Sequence, residues 1–211
     1  MSATPVPRGR HAPPLEVRQA LQRERLLRAA ADVFARQGYA DATAEAVARE
    51  AGMSKATFYE HFANKEECIL AVFDDVAQLV LTRLAESVQG EFPDYRSRVH
   101  ARIVSFIEAI IEGRSAAQTL LVEIIGAGPA AAERRDAILD VIADAIYHDN
   151  HEAAPKYGAP RYASREDAYI CVSAVVEVVA RQLRTGKPED PMSLVPVLER
   201  LFLGVLGQGL R

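Results

Sequence analysis

The sequence predicts an all-α protein of about nine helices, and three observations carry that expectation. Apolar residues recur at three- and four-residue spacing from Leu26 to Val205, with no strand-like alternation of useful length. Helix-ending and helix-starting residues punctuate those runs, as at Gly38, Gly52, Gly90, Pro93 and the Gly126–Pro129 turn. The composition is that of a soluble globular chain, with 49% of 211 residues hydrophobic and 26% charged.

In chain order, residues 1–14, MSATPVPRGRHAPP, hold four prolines and no periodic pattern, and read as a disordered arm. Arg8 and Arg10 either make it a solubilising tail or let it reach a DNA minor groove. A helix should start at Leu15 or Glu16 and end at Gln37, with Leu26, Leu27, Ala30, Val33 and Phe34 on one face and Gly38 as its stop. Arg18, Arg23, Arg25 and Arg28 fall off that stripe and are open to backbone phosphates.

The informative stretch is TAEAVAREAGMSKATFYEHFANK, Thr43 to Lys65. Thr43 is an N-cap for a short helix over Ala44–Ala51, and Gly52 suits a left-handed helix end. Ser54 is a second N-cap, for a helix from Lys55 to about Phe62. Two short helices joined by a Gly-containing turn make a helix-turn-helix. Val47, Ala51, Phe58 and Phe62 pack between the two helices, with Ala48 small at the crossing. Lys55, Ala56, Thr57, Tyr59 and His61 are left on the other faces of the second helix, where donors and an aromatic hydroxyl suit phosphates and base edges. Lys65 opens a fourth helix after Asn64, and a helix N-terminus with a lysine also suits phosphate. That helix should run to about Gln89.

Further helices are expected at Asp94–Gly113, Ser115–Ile125 and Ala130–His148, then a long loop over His148–Ser164. Two last helices, Arg165–Arg184 and Met192–Leu206, carry apolar stripes rich enough to face a second molecule as well as the chain's own core. Ile103, Phe106, Ile107, Leu121, Ile142 and Val172 either fill a core or enclose an apolar pocket. His100, Glu123, Tyr169 and Glu177 are the polar candidates for orienting a ligand there.

Other chemistries find little support. His148, Asp149, His151 and Glu152 are metal-ligand types, but they fall in the expected loop and match no strong motif. No Gly-rich phosphate loop, GxSxG elbow or HExxH is present, so no catalytic or metal residue and no cofactor is assigned. Cys68 and Cys171 are far apart and fit a reducing cytoplasm. No apolar run approaches a membrane span, and the Pro-rich start lacks a signal peptide's apolar core. The net charge of −4 is uneven: residues 1–65 carry ten Lys/Arg against seven Asp/Glu, and the rest fifteen against twenty-two. A basic end on an acidic body suits a protein that meets phosphate at one end only.

GMSKATFYEHFANKEE, with the preceding LLRAAADVFARQGYADAT, resembles the DNA-binding signature of the TetR family of bacterial transcriptional regulators, over roughly residues 24–73. The resemblance implies a three-helix DNA-binding head over residues 15–64 and a ligand-binding and dimerisation body over residues 65–211. It also implies a DNA-contacting set comprising Thr43, Ser54, Lys55, Ala56, Thr57, Tyr59, His61 and Lys65, and pairing of the last two helices in a homodimer on a palindromic operator. The expected function is a cytoplasmic regulator, a repressor released by a small apolar or amphipathic effector. The competing expectation is a regulator whose body only dimerises.

Overall fold

The computed structural model describes residues 14–206, so the proline-rich arm expected over residues 1–14 lies almost wholly outside the described residues. Nine α-helices follow in order, α1 Leu15–Gln37, α2 Ala44–Glu50, α3 Lys55–His61, α4 Lys65–Glu86, α5 Tyr95–Glu112, α6 Arg114–Leu121, α7 Pro129–Ala153, α8 Arg165–Thr185 and α9 Val195–Val205. Short 3-10 turns at Glu123–Gly126, Ala154–Tyr157 and Pro191–Leu194 extend α6 and α7 and lead into α9. None of the described helices is long and apolar enough to cross a membrane.

The first three helices close on an aromatic and aliphatic centre. Leu26, Val33 and Phe34 of α1 meet Val47 of α2 and Phe58 of α3, all almost free of solvent, with Phe62 against Phe58 at a ring separation of 5.5 Å. The caps are those the side chains predict: Thr43 Oγ1 accepts from the Ala46 N–H and Ser54 Oγ from the Thr57 N–H. Gly52 between them has φ +66°, a conformation strained for any residue with a Cβ. Arg25 donates to the Ala51 carbonyl at 2.8 Å, so it ties α1 to the turn.

The loop from Gly38 to Ala42 is where this head meets the other helices. Lys65 Nζ, at the first turn of α4, donates to the carbonyls of Tyr39 (2.8 Å), Ala40 (2.9 Å) and Ala42 (3.1 Å) and lies over the Tyr39 ring. From the body side, the Glu123 carboxylate accepts from the Tyr39 N–H at 2.9 Å and from Gln118 Nε2 at 3.0 Å. Helix α6 packs against both α1 and α4, so the head and body share one continuous apolar core.

The expected long loop over His148–Ser164 is a correction. Helix α7 continues to Ala153 and a 3-10 turn carries the chain to Tyr157. Nothing in HDNHEA breaks a helix, and Pro155 is the first residue that does. Its polar side chains are used along the way: His148 and His151 ring nitrogens sit against the carbonyls one turn back, and Asp149 takes Arg98 and Arg102. Asn150 is fully buried, donating to Tyr95 Oη at 2.8 Å and accepting from the Tyr162 N–H at 2.9 Å. This one amide fastens the segment after α7 to α5. The last helix is likewise shorter than expected, because Pro191–Leu194 takes the tighter 3-10 form before α9.

Two substitutions test these anchors, both read by urea unfolding at fixed protomer concentration. Asn150→Ala removes both bonds and strands buried partners, so unfolding free energy should fall by about 2–4 kcal/mol; a loss under about 0.5 kcal/mol would show the amide to be incidental. Lys65→Met keeps the stem but orphans three carbonyls, and should cost about 2 kcal/mol, with Lys65→Arg recovering part of the loss. Equal stability of Lys65→Met and wild type would remove the clamp from the account.

Candidate nucleic-acid interface and effector cavity

On the outer side of α3, Lys55, Ala56 and Tyr59 are exposed, and Thr57 is half-buried beside the Ser54 cap. Tyr59 is half exposed, its ring edge-on to buried Phe58, so packing fixes the base of the side chain while its hydroxyl faces outward. Lys55 lies 3.8 Å from Glu45, a solvent-exposed pair that competes weakly with any stronger anion. His61 turns inward by comparison, its Nε2 3.4 Å from Gln22 of α1.

Lys65 departs from the expected phosphate-contacting set. An ammonium has three donors, and all three are occupied by loop carbonyls, so this residue shapes the head and makes no free cation on its surface. The arginines of α1 are also largely committed: Arg25 to the Ala51 carbonyl, Arg23 over the Phe62 ring and exposed Arg28 to Glu24.

A second feature lies in the body, a cavity of about 60 Å³ within a wider void of about 620 Å³ that includes its mouth. Helix α5 supplies Tyr95, Val99, Arg102, Ile103 and Phe106; Ile142 and Ile146 come from α7 and Val172, Val175 and Val176 from α8. Leu84, Tyr162 and Phe202 complete the wall. A smaller adjoining space of about 40 Å³ shares Phe106, Ile142 and Val176 and adds Leu120 and Leu121 of α6.

Of the residues singled out from the sequence, Ile103, Phe106, Ile142 and Val172 line the main cavity and Leu121 the smaller one. Ile107 does not, being packed away in the core. His100 is exposed and points to Glu199 of α9, Glu177 is exposed beside Arg184, and Tyr169 lines neither space. Glu123 holds the head loop instead of a ligand. Sequence reasoning missed Tyr95, Arg102 and Tyr162. For Arg102 the signal was present: it lies three residues after Val99 and four before Phe106, a cation placed on the apolar stripe of α5.

The polar end of the cavity is defined by these three. Asp149 accepts from Arg98, and from Arg102 at 2.7 Å. Burial raises its pKa, but the two guanidinium groups outweigh that and hold the carboxyl below its ordinary range. Burial pushes the Tyr162 phenol far up, so it stays a neutral hydroxyl. Burial likewise pushes the Cys68 thiol up to about 12 and Cys171 up to about 11, which leaves both unreactive. Among the described residues no three His, Cys, Asp or Glu side chains are gathered as a metal site.

Comparison with known proteins places this geometry. Residues 26–72 match the model of bacterial regulatory proteins of the tetR family, a span that runs from α1 through the helix-turn-helix into α4. The transcriptional regulator UidR of Escherichia coli is 30% identical over 107 residues, 50% of this chain and 51% of that protein, so the chain spans about half the length of these curated relatives. The transcriptional activator FasR of Mycolicibacterium smegmatis is 28% identical over 179 residues, covering 82% of this chain and 78% of FasR. The fold is that of the regulator FadR from Bacillus subtilis, solved in complex with stearoyl-CoA, with a TM-score of 0.73 at 16% identity over 87% of this chain and 98% of that one. That signature lies on the helix-turn-helix: residues 26–72 carry the DNA-binding segment of the tetR family of bacterial regulatory proteins, and the rest of the chain shares the fold of the solved regulators.

Proposed function

We propose that the chain is a transcriptional regulator, a repressor that binds a palindromic operator as a homodimer and is released by an apolar or amphipathic effector. The observation that carries this reading is the exposed polar face of α3, braced from behind by Phe58 and Phe62 and lying within the matched family segment. In this reading residues 15–64 form the DNA-binding head and the chain from 65 onward the ligand-binding, dimerising body. Thr43 and Ser54 lie at the starts of the two helices of the helix-turn-helix, where they face backbone, Lys55, Ala56 and Thr57 lie over base edges, and Tyr59 and His61 lie over backbone.

The dimer would form through α8 and α9. Ile170 and Val197 stand 58% and 48% exposed on these helices, and Val178, Leu201, Leu203 and Val205 are only partly covered by the chain itself. Burying such a surface against its own copy removes apolar area from water and sets two heads on a twofold axis. The effector's place is the cavity between α5, α7 and α8, and the stearoyl-CoA bound by FadR of Bacillus subtilis shows an apolar-chain ligand in a protein of this fold. The small volume of the cavity, about 60 Å³, favours one other reading, in which the body only dimerises. A thermal-shift screen of lipophilic compounds, followed by operator release with any hit, separates the two.

Gel shifts on genomic fragments selected by the protein test the DNA contacts. Tyr59→Phe should weaken binding severalfold and equally across related operators, since phosphate contacts position without specifying. Lys55→Ala should change the preferred base, by about 1–3 kcal/mol if the contact is a good one. Unchanged affinity in Tyr59→Phe would take that hydroxyl off the interface.

Dimerisation is tested at Val178→Glu, which places a charge on the partly covered face of α8. Light scattering at micromolar concentration should show the wild type at twice the monomer mass and the variant at the monomer mass. A monomeric wild type would end the arrangement.

A further inference from the structure

We propose that the effector is an anionic amphipath, its apolar tail between α5, α7 and α8 and its single negative headgroup on Arg102, Tyr95 and Tyr162. The inference rests on the reading of the cavity as the effector site and adds the charge that the effector must carry.

The argument begins with a mismatch of charge. Arg98 and Arg102 sit one helical turn apart on α5, with side chains only 12% and 14% exposed, and share the single carboxylate of Asp149. Two cations on one anion leave a surplus positive charge in a half-buried place, where water screens it poorly. The two arginines are not equivalent. Arg98 also donates to the Val88 carbonyl at 2.6 Å and stacks over Phe92, so its guanidinium is held from three sides. Arg102 makes its one hydrogen bond among the described residues to Asp149 Oδ2, which leaves most of a five-donor group unassigned.

Among the described residues Arg102 is also the one cation of the cavity wall, and it lines the adjoining surface cleft of about 230 Å³ together with Leu84, Ile142, Ile146 and Asp149. It therefore stands at the passage from solvent to the apolar interior. Tyr95 and Tyr162 lie close enough for Arg102 to act on both phenols. Tyr95 Oη already accepts from Asn150, so its own proton is free to be donated, and the Tyr162 hydroxyl makes no hydrogen bond to a described residue. One guanidinium and two hydroxyl donors thus share the wall of a space otherwise lined by aliphatic side chains, Phe106 and Phe202. Beyond the one bond from Arg102 to Asp149, these donors lack acceptors, and a carboxylate, sulfate or phosphate ester supplies them. A cationic or purely apolar ligand leaves the surplus charge unanswered.

Isothermal titration with decanoate, decanol and decyltrimethylammonium, which share one tail, tests the charge directly. Decanoate should bind the wild type at least tenfold tighter than decanol, with decyltrimethylammonium weakest. Arg102→Gln should abolish that preference while leaving decanol affinity within twofold, Arg102→Lys should retain it in part, and Tyr162→Phe should reduce it severalfold; urea unfolding confirms that each is folded. Equal binding of decanoate and decanol, or a preference for the cation, overturns the anionic headgroup while leaving the cavity as effector site. Val172→Trp, which fills the cavity, separates the deeper failure: decanoate binding that this variant does not weaken, or no binding of any of the three, overturns the cavity reading itself and the headgroup with it.

Discussion

A single ammonium group sets the relation between the head and the rest of the molecule. The loop between α1 and α2 makes one backbone hydrogen bond within itself, from the Ala42 N–H to the Gly38 carbonyl, and its other polar groups turn to side chains for partners. Lys65 answers three of its carbonyls, and Glu123 answers the Tyr39 N–H from the opposite side. A cation on the acceptors and an anion on a donor make charge-assisted bonds, stronger than neutral ones and more directional than apolar packing. The aliphatic and aromatic core makes the head cohere. These two charged residues decide at what angle it is held.

That arrangement also places the loop next to the cavity wall. Glu123 follows α6 directly, and Leu120 and Leu121 of α6 line the smaller space that shares Phe106, Ile142 and Val176 with the main cavity. A contiguous set of packed side chains therefore runs from the cavity wall to Glu123 and the loop it holds. Close-packed helices shift as units and do not deform smoothly, so a small displacement at the cavity is not absorbed on the way. Helix α4 is a parallel route, since Lys65 opens it and Leu84 near its other end lies in the cavity wall.

The helices were readable because their local signals and their packing agree. Thr43, Ser54, Asn64, Asp94 and Ser164 all cap the helices their positions predict, and Gly52 turns where only glycine turns easily. His148–Ala153 was misread because a polar run was taken for solvent-facing loop, whereas Asn150 is buried as a tertiary hydrogen-bonding node and Asp149 is neutralised by residues about fifty positions earlier. Lys65 was misread for a related reason: its position at a helix start suggests phosphate, and only the folded loop reveals three nearer acceptors. Apolar pocket residues were legible as a stripe but not as wall against core, since Ile103 and Ile107 share one face of α5 and only Ile103 borders the space. The polar end was least legible. Arg102, Tyr95 and Tyr162 come from two distant segments, and no spacing rule joins them.

The size of the cavity bears on how an effector could act. The cavity of about 60 Å³ lies between close-packed helices, so a tail larger than that space is accommodated only by displacement of α5, α7 or α8. Opening costs packing energy, and apolar burial at about 25 cal/mol per Å² must offset that cost before any affinity appears. The same requirement makes binding informative. A ligand that fitted the closed arrangement as well as the open one would shift no equilibrium, however tightly it bound. A tail that is accommodated only in the opened body binds one state and not the other, so its binding shifts the equilibrium toward that state. A close-packed cavity wall is therefore the arrangement in which filling and displacement of the surrounding helices are most strongly coupled.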